Sequence, residues 1–311
     1  MPSPHIRRAP ASRRSAPTSA AATAAVWAVT AALFTAAPSV AEPPARALEG
    51  SPMPVADIKT FFEAGSATRV IAHRGFSARA PENTLAAVRA AIELGADMVE
   101  VDVTLSADGH VVLMHDDTLD RTTDGAGAVM DLSLSELRAL DAGSWFDPSF
   151  AGEPVPTLRA LLELVTDRIL LNIEIKREAV TDVAEGGIAH KVDDLVGEHG
   201  RAEQVVVSSF DPRPLARLRD RGSALATASL FDTRLHDGML PSEVTAQVGS
   251  SAFNISGRLL DARLLADARA HRLPVAVYTV NEIRDMERVL GAGVAAVFTD
   301  HPDRLLRLLG R

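Results

Sequence analysis

Residues able to move protons or to hold a hard cation recur in this sequence at the ends of short apolar runs. His73-Arg74-Gly75 follows Val70–Ala72, and His115-Asp116 follows Val111–Met114. A pair of imidazoles supplies groups that titrate near neutral pH and can act as general acid and general base. Glu100 and Asp102 lie two apart on one extended run, so both carboxylates project from the same face. Glu174 and Lys176 repeat that spacing within Asn172-Ile173-Glu174-Ile175-Lys176. If these faces turn inward, the acids repel one another and lose hydration, a conflict that a divalent ion resolves. Three carboxylates suit calcium or magnesium rather than a soft metal. Phosphodiester cleavage needs these parts: one group to activate the nucleophile, another to protonate the leaving alkoxide, and cations on the nonbridging oxygens. Arg74, with its bidentate fork, and Lys176 fit the last role beside a metal. Taken alone, Glu174 with Lys176 is an ordinary salt bridge, but the whole set points to a phosphoryl site.

Elements of regular spacing must bring these residues together. Strands are expected at Val70–Ala72, Met98–Val103, Val111–Met114, Ile169–Ile175, Val205–Ser208, Ala226–Leu230, Phe253–Ile255, Val275–Val280 and Ala295–Phe298. Helical patterns fall between most of them, at Thr84–Leu94, Leu158–Val165, Pro214–Arg221, Ala262–Ala270 and Ile283–Leu290. Strands alternating with helices predict a parallel sheet, and a TIM-type (β/α)8 barrel would gather the strand-end residues at one mouth. Nine candidate strands exceed the eight that such a barrel needs, so either one is an extra or Phe253–Ile255 is a weak strand. Residues 117–156 break the alternation with glycines, prolines, Trp145, Phe146 and Phe150, and are expected as a functional insertion over the barrel mouth.

Arg7, Arg8, Arg13 and Arg14 precede an Ala-rich apolar run over 20–37 and the small residues Ser39-Val40-Ala41, the order of a secretory signal peptide. Residues 1–41 are therefore expected as a signal peptide, 42–66 as a linker and lead-in, and 67–311 as the barrel domain, exported and without a stable membrane anchor after cleavage. Cleavage would remove four arginines and no acids, taking the net charge from −9 to −13. So acidic a chain disfavours nucleic acid as a partner, because binding it rests on neutralising phosphates with Lys and Arg. The absence of cysteine excludes disulfides and thiolate ligands.

In order, His73-Arg74-Gly75, Pro81-Glu82-Asn83-Thr84, Val99-Glu100-Val101-Asp102-Val103, Asp108-Gly109, His115-Asp116, Arg121-Thr122-Thr123, Pro156-Thr157-Leu158 and Glu174-Ile175-Lys176 resemble the glycerophosphodiester phosphodiesterase family. Ser209-Phe210-Asp211, Tyr278-Thr279-Val280-Asn281 and Phe298-Thr299-Asp300 carry the resemblance to the C-terminal part of the chain. The resemblance implies a TIM barrel that hydrolyses glycerophosphodiesters to sn-glycerol 3-phosphate and an alcohol. It implies His73 and His115 as the acid–base pair, Glu100, Asp102 and Glu174 as ligands of one divalent cation, and Arg74 and Lys176 as phosphate contacts. Calcium is preferred to magnesium for an exported protein. Glu82 and Asn83 are expected either to orient His73 or the metal site, or to cap the helix that starts near Thr84. Tyr278 stands where the family commonly has Trp, which bears on the wall facing the substrate.

The aromatics of the insertion could form a lid, although loop aromatics more commonly anchor their own loop. His110, His190, His199, His236, His271 and His301 are expected at the surface or at helix caps. The acids Asp193, Asp194 and Glu198 are expected on a solvated helix face. Two competing readings are a phospholipase-like enzyme acting on intact lipids and a noncatalytic phosphoester-binding barrel. The first needs an apolar membrane-facing loop, and the second has no use for a paired acid and base.

Overall fold

A computed structural model describes residues 57–62, 67–183 and 185–311. The expected signal peptide lies outside the described residues, as does the lead-in apart from residues 57–62.

Among the described residues the strands are β1 (Arg69–His73), β2 (Met98–Leu105), β3 (Val111–Leu113), β4 (Leu170–Ile175), β5 (Val205–Ser209), β6 (Ala226–Leu230), β7 (Ala252–Ser256), β8 (Val275–Tyr278) and β9 (Ala296–Thr299). Parallel pairing runs from β2 through β4 to β9, and β1 pairs with both β9 and β2, which closes the sheet. The surplus strand is β3. It pairs antiparallel with the overhanging end of β2, Val103 opposite Leu113, and stands outside the parallel ring. Phe253–Ile255 is a genuine barrel strand within β7. Eight parallel strands remain, the TIM-type architecture.

Alternation along each strand explains the layers. On β2, Val99, Val101 and Val103 face outward into the apolar layer beneath the helices, while Met98, Glu100 and Asp102 turn to the barrel axis. One residue from each strand forms the floor of the interior: Ile71, Met98, Leu170, Val206, Ala228, Ala252, Ala276 and Ala296. The four alanines leave room in this floor, and the buried side chains of Ile58 and Phe61 join the same cluster. The lead-in thus supplies a short helix, Ile58–Phe61, capped by Asp57 and lying beside the turn that precedes β5.

The outer helices follow their sequence signals. Leu85–Leu94 starts at the Thr84 cap, ends at Gly95 in the left-handed conformation, and buries Ala87, Val88 and Ala91. Leu158–Val165 starts at the Thr157 cap and buries Leu158, Leu161, Leu162 and Val165, a clean helical stripe. The helices Pro241–Val248 and Pro302–Leu308 were not expected. Each opens on a proline, which fits the first helical position even though it also reads as a turn signal. Among the described residues no helix is long and apolar enough to cross a membrane.

Candidate active site

The carboxyl ends of β1, β2 and β4, with His115 from the segment after β3, bring the expected residues to one mouth of the barrel. Register does most of this: His73 lies beside Glu100 across β1 and β2, and Asp102 lies beside Glu174 across β2 and β4. Glu100 and Asp102 are buried, at 2% and 1% exposure. One oxygen from each of Glu100, Asp102 and Glu174 falls within 4.8 Å of the others. Oxygens bound to one calcium at about 2.3–2.6 Å stand up to roughly 5 Å apart, so the spacing suits such an ion. Glu100 Oε1 is buried without a hydrogen-bond partner, an acceptor left open on the cluster. Burial, then the charge of Asp102, pushes the Glu100 carboxyl up to about 8. Burial also acts on Asp102, but Lys176 and Arg74 outweigh it and hold that group at about 2. Burial, then the charge of Asp102, also raises Glu174, and a cluster with two reluctant carboxylates and one unmatched oxygen is chemically suited to a hard divalent cation.

The cationic side chains hold these acids from two sides. Lys176 Nζ donates to Glu174 Oε1 at 3.0 Å and to Asp102 Oδ1 at 3.2 Å. Arg74 Nε lies 3.2 Å from Asp102 Oδ2, and its NH1 donates to Glu82 at 2.7 Å. Arg74 sits at φ 57°, left-handed and uncommon for a residue with a side chain. Its backbone N–H donates to Glu100 Oε2 at 2.9 Å, and its carbonyl accepts from Asn83 N–H at 3.1 Å. The unusual turn is therefore tied to the carboxylate cluster.

Each imidazole is fixed at Nδ1 by a carboxylate. His73 Nδ1 lies 2.6 Å from Asp300 Oδ1, and His115 Nδ1 lies 2.6 Å from Asp116 Oδ1. A carboxylate at Nδ1 favours the tautomer that leaves Nε2 free for chemistry. Burial alone would lower His73, but the Glu100 and Asp300 carboxylates outweigh it and raise its pKa. Burial, assisted by Arg74 and Lys176, keeps His115 below its ordinary value although Asp102 opposes. Neighbouring titratable groups pushed in opposite directions are a recurring mark of acid–base sites.

A cavity of about 170 Å³ is lined by His73, Arg74, Glu100, His115, Glu174 and Lys176, with Phe210, Tyr278 and Phe298 as an aromatic wall. Asp102 sits behind that lining, ion-paired with Arg74 and hydrogen-bonded to Lys176 and Asn83. All seven expected residues are thus in one place. The Tyr278 hydroxyl donates to the Phe231 carbonyl at 3.1 Å, and its ring meets Phe210 edge-on.

Glu82 and Asn83 are not helix caps, since Thr84 takes that role. Asn83 binds Asp102 twice, through its amide nitrogen and as acceptor of the Asp102 N–H, while Glu82 bridges Arg74 and Arg121. Sequence reasoning assigned no role to Asp300, Asn281 or Arg121. Asn281 donates to Asp300 at 2.6 Å, and Arg121 grips both Asp116 and Glu82. Asp300 and Asn281 follow barrel strands and stand in strings that carry the family resemblance, but neither signal names their partners. The insertion's aromatics pack on their own loop and none lines the cavity: Phe146 meets Trp145 and Phe150 edge-on, and Trp145 Nε1 donates to the Ala142 carbonyl. His236 corrects another expectation, being buried with its Nδ1 accepting from the Asp232 N–H. Asp194 and Glu198 are surface ion-pair partners of Arg221 and Arg159.

Residues 73–304 match the family model described as "Glycerophosphoryl diester phosphodiesterase family". A glycerophosphodiester phosphodiesterase of Caldanaerobacter subterraneus is 38% identical over 243 residues, covering 78% of this chain and 98% of its own. One from Bacillus subtilis is 34% identical, covering 75% of this chain and 83% of its own. The structure of an Oleispira antarctica phosphodiesterase in complex with the product sn-glycerol-3-phosphate aligns with a TM-score of 0.72 at 31% identity, over 79% of this chain and 98% of that one.

Proposed function

Because this chain belongs to the glycerophosphoryl diester phosphodiesterase family, we propose that it hydrolyses glycerophosphodiesters to sn-glycerol 3-phosphate and an alcohol, with His73 and His115 as the acid–base pair. The observation that carries this reading is the single cavity shared by two imidazoles, each fixed at Nδ1 by a carboxylate, and by the Glu100–Asp102–Glu174 cluster.

Glu100, Asp102 and Glu174 would hold one divalent cation, calcium or magnesium. When bound, such an ion stabilises negative charge gathering on the phosphoryl oxygens. Arg74 and Lys176, on the same cavity wall, add fixed positive charge to those oxygens. One imidazole takes a proton at Nε2 from an attacking hydroxyl of the glycerol while the other gives a proton to the leaving alkoxide, and water then opens the cyclic phosphate with the two roles exchanged, so one water is consumed and the proton count balances. Phe210, Tyr278 and Phe298 give an apolar wall suited to the carbon skeleton of glycerol and limit the water around the phosphorus.

Release of sn-glycerol 3-phosphate from glycerophosphocholine and glycerophosphoserine tests the reading. Turnover should stop with a chelator and return when calcium or magnesium is restored. Full activity in chelator would remove the cation from the proposal, and no release from any glycerophosphodiester by folded, cation-loaded protein would overturn the reaction.

A further inference from the structure

The cavity of about 170 Å³ is small for a whole diester, since pockets that enclose drug-sized ligands run to about 300–1,000 Å³. A second pocket of about 420 Å³ opens beside it and shares Glu174, Lys176 and Phe210 with it. The segments after β4 and β6 supply its distinctive lining of Arg177, Glu178, Phe231, Asp232 and Arg234. A third pocket, also about 420 Å³, meets the cavity only at Tyr278 and Thr279, away from Lys176. The leaving group is bonded directly to phosphorus, so it must lie next to the groups that hold the phosphoryl oxygens. Of the two pockets, that condition selects the one bordered by Lys176.

The chemistry of this pocket is set by Asp232, whose carboxylate is 6% exposed. Its Oδ2 accepts from Arg177 NH2 at 2.6 Å and from Arg234 NH2 at 3.0 Å, and its Oδ1 accepts from the Arg234 backbone and Nε. Two guanidinium groups are thereby anchored on one buried carboxylate, with donors left over on both. Anchored guanidinium forks suit carboxylate and phosphate oxygens. Glu178 is exposed at the same pocket and offers a counter-charge to an ammonium. Resting on the reaction proposed above, we propose that this pocket is the leaving-group subsite and that Arg177 and Arg234 select head groups carrying their own carboxylate or phosphate over trimethylammonium head groups.

Calorimetric binding of intact diesters to the His115→Ala protein, which should not turn them over, tests the subsite separately from the reaction. Glycerophosphoserine should bind about tenfold more tightly than glycerophosphocholine, the scale of a charge-assisted hydrogen bond. Adding Arg234→Gln should cut that ratio by about tenfold, and Arg234→Lys should give an intermediate ratio because charge remains while the fork is lost. Arg234 is 76% exposed, so the fold should survive both changes. Equal affinities, no binding of either diester, or a preference that persists in Arg234→Gln would overturn the subsite. If the unmutated enzyme releases no sn-glycerol 3-phosphate from either diester, the reaction fails instead, and the binding ratio still decides the subsite.

Discussion

The His73 ring is positioned by a residue that the sequence places 227 positions away. Asp300 accepts from Ser77 as well as facing His73, and Asn281 holds it through its amide nitrogen and through the Asp300 backbone. An asparagine at 300 would keep the shape but lose the charge that fixes Nδ1 as the protonated nitrogen. Asp300→Asn should lower kcat by roughly a hundredfold or more, by analogy with neutralised aspartates beside the catalytic histidines of other enzymes, with KM changed only a few-fold. Imidazole ¹⁵N spectra should show His73 moving from one tautomer to a mixture. An unchanged kcat would mean that Asp300 is structural only. His73, His115, Glu100, Asp102 and Glu174 were legible because their types and strand-end positions are local facts. Asp300 was not, because a lone acid after a late strand has no neighbour in sequence that reveals its use.

At the scale of elements, the turn after β1 does much of the positioning. Gly75 has φ 83°, and an added Cβ would stand 2.6 Å from the backbone and Cβ of Ala87 on the first long helix. Little can yield there, since the obstacle is mostly main chain. Gly75→Ala should therefore cost at least about 2 kcal/mol, combining left-handed strain with overpacking. It should also lower kcat, because His73 and Arg74 are the two residues before it. Urea unfolding together with a kinetic assay checks this, and a stability change within about 0.5 kcal/mol, the scale of an ordinary surface substitution, would refute the close packing. The strands themselves were readable from apolar runs. The role of β3 was not, because a three-residue apolar run looks the same whether it joins a ring of parallel strands or folds back antiparallel on β2.

For the whole molecule, an apolar floor and a charged mouth share one barrel interior, and the mouth sets the pH dependence of stability. Glu100 is raised from 4.5 to about 8, so between those values the folded chain keeps a proton that the unfolded chain has lost. Cation-free stability should therefore fall as pH rises through that window. The raised His73 adds to the fall above its ordinary value, while the lowered His115 opposes it. Asp102, held at about 2 against 3.8, contributes stability that disappears only as pH drops through that lower range. In chelator, the melting temperature should be lower at about pH 8 than at about pH 5, calcium or magnesium should restore more at the higher value, and Glu100→Gln should flatten the slope. A melting temperature independent of pH in chelator would show that the cluster is not strained without a cation. The sequence by itself determined the alternating strand and helix plan, the acid-rich balance, and the residue types of the mouth, because each follows from local spacing and composition. Only the tertiary structure decided which strand lies outside the ring, how Ile58 and Phe61 join the floor, and that Asp300 serves His73. The last two outcomes depend on register and closure, which for Asp300 and His73 join residues 227 positions apart and leave no local trace in the chain.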